Sequence, residues 1–386
     1  MAESANDLSK GHSRPQVRKA VAQVEVYEGG RTTEMVRQEL NLKGKVVKLA
    51  SNENPFPTLP SVLQAITTSA AQSSLYPDFS ATDVRETLAE YLGKVESTQI
   101  VIGCGSANLM QQVFLTYIEP GDEVIFPWPG FRAHPLYTKM CGGTPVTVPL
   151  IDHTIDLDSL LRLITKRTRL ICVTNPNNPT STAVKGGDLR SFLDQVPENI
   201  LVLIDEAYIE YAGDSDIGNG VVEAQHHPNV LALRTFSKAF GLAGLRIGFA
   251  VGPTDIVTNV RRTGFPFAVN TLAQAAALAA LKDIDEVLNR VRYVMQERER
   301  LTTALREDGW NVAKSESNFL WLPMGSQSSS LLAKQLETKN VITRPFEDGL
   351  RITVGLEEEN NLFRFALGVR QLNNVPPLIE RQADGR

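Results

Sequence analysis

The chain has 386 residues, of which 42% are hydrophobic and 22% charged, and its net charge is −5. That length suits a large core divided between two domains, and an acidic balance without a basic stripe excludes nucleic acid as the main partner. No apolar run approaches the roughly 20 residues that a membrane span needs, so no membrane partner is expected.

In chain order, the opening Met1-Ala-Glu-Ser-Ala-Asn-Asp-Leu-Ser-Lys10 lacks the charged-then-apolar order of a secretory signal. Three cysteines (Cys104, Cys141, Cys172) are odd in number and form no Cys-x-x-Cys pair, which favours reduced thiols in a cytoplasmic protein. Residues 1–20 are polar, carry no hydrophobic period and read as a mobile arm. From Val46 to about Val260, apolar strands alternate with amphipathic helices. Seven strands are expected at Gln99–Gly103, Asp122–Pro127, Thr144–Val148, Leu170–Thr174, Leu201–Asp205, Val230–Arg234 and Ile247–Val251. Several are apolar throughout, as in a mostly parallel sheet covered on both faces. Helix patterns such as Leu109–Tyr117 and Leu157–Ile164 lie between them, giving a doubly wound α/β layout. An alanine-rich helix follows at Thr271–Leu281, then a long charged one at Asp285–Asp308 with Val287, Leu288, Val291, Val294 and Leu301 on its apolar side. A smaller α+β domain is expected from a strand at Asn318–Leu322, a helix at Leu331–Lys339, strands at Val341–Arg344 and Leu350–Val354, and a helix at Glu357–Leu372. The expected divisions are an N-terminal arm at 1–48, a large domain at 49–282, a small domain at 283–375 and a tail at 376–386.

Five segments carry chemistry. Gly103-Cys-Gly-Ser-Ala-Asn108 joins a strand to a helix, where backbone N–H groups and the helix dipole suit a phosphate; a plain tight turn reads equally well. Thr174-Asn-Pro-Asn-Asn-Pro-Thr180 forces an irregular extended backbone after a strand, presenting an asparagine amide that could donate to a phenolate; the bland reading is a turn. Asp205 ends the apolar strand before Glu206-Ala-Tyr208, where an unpaired carboxylate is costly and a protonated pyridine nitrogen would repay it; helix capping is the alternative. Arg234-Thr-Phe-Ser-Lys-Ala-Phe-Gly-Leu-Ala-Gly-Leu-Arg246 places Lys238 just beyond a buried strand, with Ser237 before it and Arg246 eight residues on. Desolvation and nearby cations make such an amine a nucleophile toward an aldehyde, and the serine and arginine suit a phosphate; pyridoxal phosphate has both groups. Arg344 and Arg351 flank Pro345-Phe-Glu-Asp-Gly349 and can grip an anion, although Arg344 also reads as a surface ion-pair partner of Glu347 or Asp348. The five histidines show no metal spacing, and His226-His227 reads as part of a solvated loop, so no metal is expected.

Taken in order, Asn52-Glu-Asn-Pro55, Tyr76-Pro-Asp78, Gly-x-Gly-Ser, Asn-Pro-Asn-Asn-Pro-Thr, Asp-Glu-Ala-Tyr, Ser-Lys-Ala-Phe-Gly-Leu-Ala-Gly-Leu-Arg-Ile-Gly and Arg-Ile-Thr-Val-Gly resemble the histidinol-phosphate aminotransferase family of fold-type I pyridoxal-phosphate enzymes, over roughly residues 45–370. Gln111-Gln112, Asp122–Trp128, Leu233–Lys238 and Phe265-Pro-Phe-Ala-Val-Asn270 resemble its actinobacterial aromatic (phenylalanine) aminotransferase branch. The resemblance implies that Lys238 holds the cofactor and shuttles a proton. It implies that Asp205 pairs with the pyridinium nitrogen, that Asn178 and Tyr208 hold O3′, and that Phe131 stacks on the ring. Ser237, Arg246 and the amides of Ser106 and Ala107 would hold the phosphate, joined by Tyr76 from the neighbouring subunit of a homodimer. Arg351 would clamp the substrate's far anion with help from Arg344, and Asn52 and Tyr27 would lie in the substrate pocket. Ser181 stands where the family has glycine, Ser106-Ala-Asn replaces an acidic pair, and Val26-Tyr27 replaces Pro-Tyr. The implied reaction is transfer between an aromatic amino acid and a 2-oxo acid such as 2-oxoglutarate, with histidinol phosphate as the alternative substrate. A decarboxylase is a weaker reading, and a transcription regulator weaker still, because the 48 or so residues before Leu49 are too few and too polar for a DNA-binding module.

Overall fold

The computed structural model describes residues 15–26 and 29–369. In chain order, β1 (Val47–Lys48) precedes seven strands that build the main sheet: β2 (Ile100–Gly103), β3 (Glu123–Trp128), β4 (Thr144–Pro149), β5 (Thr168–Thr174), β6 (Leu201–Asp205), β7 (Val230–Thr235) and β8 (Gly248–Val251). Beyond them come β9 (Phe319–Pro323), β10 (Val341–Ile342), β11 (Arg344–Phe346) and β12 (Gly349–Thr353). All seven expected strands of the large sheet form.

The sheet order is β2-β8-β7-β6-β5-β3-β4. Only β8 runs against its neighbours, antiparallel to both β2 and β7. Strands β6 and β7 are buried along their whole length, which is why they read as continuous apolar runs rather than alternating ones. One face packs against the helix Ser106–Tyr117, with Leu109, Val113 and Phe114 wholly buried. The other packs through Ile171, Val173, Val202 and Ile204 against Leu160, Leu189 and Phe192. The register sets Thr174 beside Asp205, Asp205 beside Leu233, and Thr235 beside Gly248. The carboxyl ends of adjacent strands therefore meet in one place, the usual ligand edge of an open α/β sheet.

The alanine-rich helix (Thr271–Lys282) buries Ala273, Ala276, Ala277 and Ala280 and packs closely on the helix Pro60–Ala70. The 24-residue helix Ile284–Glu307 follows, burying the expected Val287, Val291, Val294 and Leu301. A three-stranded antiparallel sheet, β11-β12-β9, completes the C-terminal part. Three expectations shift. The helix drawn from Leu331 begins at Ser326, because Gly325 and a polar serine run supply its first turns. The segment Val341–Arg344 breaks at Thr343 into β10, which pairs in parallel with β1, and β11, which pairs with β12. The last helix stops at Leu367, where Gly368 takes φ 73°, a left-handed end that glycine supplies at least cost. The β1–β10 pair and the cluster of Val36, Val46, Ala50 and Ile342 tie the segment before residue 50 to the C-terminal part. Residues 1–14 of the expected arm and the expected tail lie outside the described residues. Among the described residues, no helix is long and apolar enough to cross a membrane.

Candidate active site

Two adjoining cavities of about 230 Å³ and 200 Å³ open at the strand ends and share Ser51, Phe131, Asn178, Tyr208 and Lys238 in their walls. The larger is also lined by Ser106, Ala107, Asp205, Ser237 and Arg246, and the smaller by Asn52, Arg344 and Arg351. Twelve of the fourteen residues singled out in the sequence therefore lie together. Tyr76 does not line either cavity: it is 82% exposed and stacks on Phe267 with ring centroids 4.6 Å apart. Tyr27 lies outside the described residues.

One end of the larger cavity is built for an oxyanion with several charges. The helix Ser106–Tyr117 starts there after Gly105, leaving first-turn N–H groups without helical acceptors. Arg246 reaches in from the other side, its Nη1 bonded to Ala243 O at 2.8 Å and 3.5 Å from Ser237 Oγ. Two glycines make room. A Cβ on Gly105, whose φ is +83°, would lie 2.4 Å from Arg246 Nη2, and one on Gly248 would lie 2.5 Å from Ser106 N. The second contact is with backbone and has no side chain that can yield. Gly248→Ala is thus expected to destabilise the protein by about 2 kcal/mol and to weaken retention of a phosphate ligand; a thermal melt and equilibrium dialysis with pyridoxal phosphate check both.

The other end is built for a ring. Asp205 is 6% exposed and accepts one hydrogen bond, from Ala207 N at 3.1 Å; it does not cap a helix. Burial pushes its carboxyl up to about 7, with Glu206 adding to the rise and the Ala207 N–H and Lys238 opposing it. Behind it Arg234 bonds Glu206 at 2.9 Å, a buried ion pair between neighbouring strand ends that fixes this turn. Thr174 Oγ1 lines the cavity, buried and without a hydrogen-bond partner among the described residues. Lys238 Nζ donates to Ser51 O at 3.0 Å and lies 5.9 Å from the Tyr208 ring centroid. Its pKa is lowered to about 8, first by burial and then by Arg351 and Arg246, with Glu53 and Asp205 opposing. Asn54, within the Asn52-Glu-Asn-Pro55 motif but without a role evident from sequence, pins the lysine's backbone by donating to Lys238 O at 3.3 Å and Ala239 O at 2.9 Å.

A hydrogen-bonded chain joins the two cavities. Arg351 donates to Asn178 Oδ1 at 2.6 Å and to Ala50 O at 2.7 Å. Asn178 and Asn52 each point an amide at Tyr208 Oη, at 3.3 Å and 3.2 Å. Thr353 Oγ1 fixes Asn52 in turn, at 3.1 Å from its Oδ1. Arg344 faces Arg351 across the β11–β12 pair. It forms no ion pair with Glu347 or Asp348; its guanidinium lies over Gly30, where a Cβ would come within 3.3 Å of Nη1. Far from the site, His227 is held between Asp194 and the Glu223 carbonyl, each at 3.1 Å, so only His226 of that pair is exposed to solvent.

A family model described as aminotransferase class I and II matches residues 44–362. The chain belongs to that family. This aminotransferase is 44% identical over 350 residues to an aromatic amino acid aminotransferase of Thermobifida fusca, covering 90% of this chain and 95% of that protein. It is 48% identical over 326 residues to an aromatic amino acid aminotransferase of Mycobacterium sp. (strain JLS), covering 82% and 90%. Among solved structures it matches histidinol-phosphate aminotransferase from Sinorhizobium meliloti in complex with pyridoxal-5′-phosphate, at a TM-score of 0.85 and 27% identity over 92% of this chain and 98% of that one. The fold is that of the fold-type I enzymes, as the motif order implied, and the reaction moves an amino group between an amino acid and a 2-oxo acid. The site fits pyridoxal phosphate on its own evidence: a glycine-cleared anion cradle, a buried carboxyl in need of a cation, an open threonine hydroxyl and a lysine amine of lowered pKa share one cavity.

Proposed function

We propose that this aminotransferase uses pyridoxal phosphate to take the amino group from an aromatic amino acid and pass it to a 2-oxo acid such as 2-oxoglutarate, both substrates using one cavity in turn. The observation that carries this is the wall of the smaller cavity, which the rings of Phe131, Tyr208 and Phe346 line together with the Arg351 fork. The rings suit a flat apolar side chain and the fork suits a carboxylate. The two relatives named above as aromatic amino acid aminotransferases support it.

When bound, the cofactor supplies an aldehyde and a pyridinium ring that accepts the electron pair left when the substrate carbon loses its proton. The chain's own groups do the rest. The first-turn amides at Ser106 and Ala107, with Ser237 and Arg246, hold the phosphate. Asp205 keeps the ring nitrogen protonated, Asn178 and Tyr208 hold the phenolic oxygen, and Phe131 covers the ring and excludes water. Lys238 Nζ holds the cofactor and carries the proton from the reacting carbon. Arg351, beside Asn178 and Lys238, binds the carboxylate attached to that carbon rather than a far anion, which leaves the outer end to Arg344. A homodimer in the cytoplasm is part of this reading. Leu75, Tyr76, Phe79 and Phe265 form an exposed apolar surface, with Tyr76 at 82% and Phe265 at 77%, suited to burial against a second copy.

Histidinol phosphate is the second reading, favoured by the Arg344–Arg351 pair and by the Sinorhizobium relative. The test mixes the yellow holoenzyme with each amino donor alone and follows bleaching of its visible band. Faster bleaching by phenylalanine at equal concentration is expected. Preference for histidinol phosphate overturns the aromatic reading, and a colourless protein that pyridoxal phosphate does not restore overturns the use of the cofactor.

A further inference from the structure

We propose that Arg132 is a specificity-determining residue that binds the second anion of a substrate whose side chain ends in a carboxylate or a phosphate. This rests on the transamination reading above and extends it to the outer end of the cavity. Among the described residues, the wall of the smaller cavity holds four cationic side chains, Lys238, Arg132, Arg344 and Arg351, and no carboxylate. A substrate with one carboxylate needs one guanidinium fork. Arg351 supplies it at the inner end, buried and fixed by Asn178 and Ala50 O. Two arginines are then left over. Neither Arg132 nor Arg344 forms an ion pair among the described residues. Like charges gathered in one small cavity repel unless an anion sits among them.

The two spare arginines come from different elements of the fold. Arg344 is on the hairpin strand facing Arg351. Arg132 follows Phe131 and precedes the helix Ala133–Cys141, so the residue that covers the ring and the residue that meets the far anion are neighbours in sequence. Arg132 is exposed and lines a second cavity of about 610 Å³ with Trp128, Lys139 and the carboxylate-bearing Glu25. Its guanidinium therefore has space on both sides. It can meet a charged side chain in the substrate cavity, or leave that space to an aromatic ring and lie toward Trp128, whose face suits a cation. A site that takes an apolar ring in one half-reaction and a second carboxylate in the other needs such a residue.

The test uses the holoenzyme and three acids that have neither an amino nor an oxo group: pentanoate, glutarate and 4-phosphonobutyrate, titrated calorimetrically. Wild type is expected to bind glutarate more tightly than pentanoate. Arg132→Ala is expected to weaken glutarate by about tenfold and pentanoate by less than about twofold, with Arg132→Lys in between because it keeps the charge and loses the fork. A larger loss for 4-phosphonobutyrate than for glutarate assigns the position to a phosphate, and the reverse assigns it to a carboxylate. Equal weakening of glutarate and pentanoate, or wild type that does not prefer glutarate, overturns the proposal. Failure of phenylalanine to bleach the holoenzyme would fall on the aromatic reading and leave these titrations unaffected.

Discussion

Lys238→Ala lowers the rate of amino-group transfer by about 10⁴-fold and leaves the protein folded. The lysine is not a structural ion-pair partner. Its amine donates to a carbonyl, Ser51 O, and Arg351 and Arg246 lie close enough to disfavour its charge. Removing it relieves a buried cation while abolishing the amine that meets the aldehyde. With a pKa of about 8, against an ordinary lysine near 10.4, the amine is free in a useful fraction of molecules at neutral pH. The rate at which cofactor-free protein captures pyridoxal phosphate should rise with pH and level off above about 8, and Arg351→Met should move that midpoint upward. Linkage gives a second sign. Between about 8 and the ordinary value the unfolded chain holds the proton and the folded chain does not, so Lys238 contributes a rise of stability with pH across that window, opposed by the raised thiol of Cys172, and Lys238→Ala removes that contribution. Borohydride treatment followed by intact-mass measurement supplies a readout independent of turnover, because it fixes the cofactor to the wild-type chain and not to the variant. A variant within about tenfold of the wild-type rate would contradict the assignment.

The large sheet was legible because its strands are buried on both faces, and each leaves a short apolar run that ends at a turn or a charge. Asp205, Lys238 and Asn178 stood out for the same reason: polar groups at the ends of such runs need a partner. Elements whose identity depends on a distant partner were not legible. The two-residue β10 exists because β1, almost 300 positions earlier, pairs with it, and nothing local separates Thr343 from its neighbours. The chain from Arg351 through Asn178 and Tyr208 to Asn52 joins four sites across the sequence, and only Asn178 and Tyr208 had been given a shared task, by the family resemblance. Arg132 gave no signal, since an exposed arginine beside an aromatic is ordinary until the fold sets it in one cavity with Arg344 and Arg351. The Arg234–Glu206 pair was visible in principle as two charges at the ends of neighbouring apolar strands, but strand order had to be known before they could be paired.

Asp205→Asn lowers the transfer rate by about 10³-fold and identifies what the buried carboxyl is for. The amide is nearly isosteric and can still accept the Ala207 N–H, so the turn it closes survives. What it cannot do is hold a proton on a ring nitrogen by charge. In the protein without cofactor, burial pushes the Asp205 carboxyl up to about 7, well above the usual carboxylate range. The folded chain therefore keeps a proton that the unfolded chain gives up near pH 4, and stability falls as pH rises from about 4 to about 7. Thermal melts across that range should fall more steeply for the cofactor-free wild type than for Asp205→Asn, because Glu210, pushed up to about 7, and His134, pushed down to about 3, add opposing slopes that both proteins share. Binding of the cofactor should flatten the wild-type slope too, because a cation beside the carboxylate lowers its pKa in the folded state. The two measurements constrain each other. A variant that loses the extra pH slope but keeps its rate would make Asp205 a buried acid without a part in catalysis. Loss of both places the positive ring nitrogen beside the buried Asp205 carboxylate.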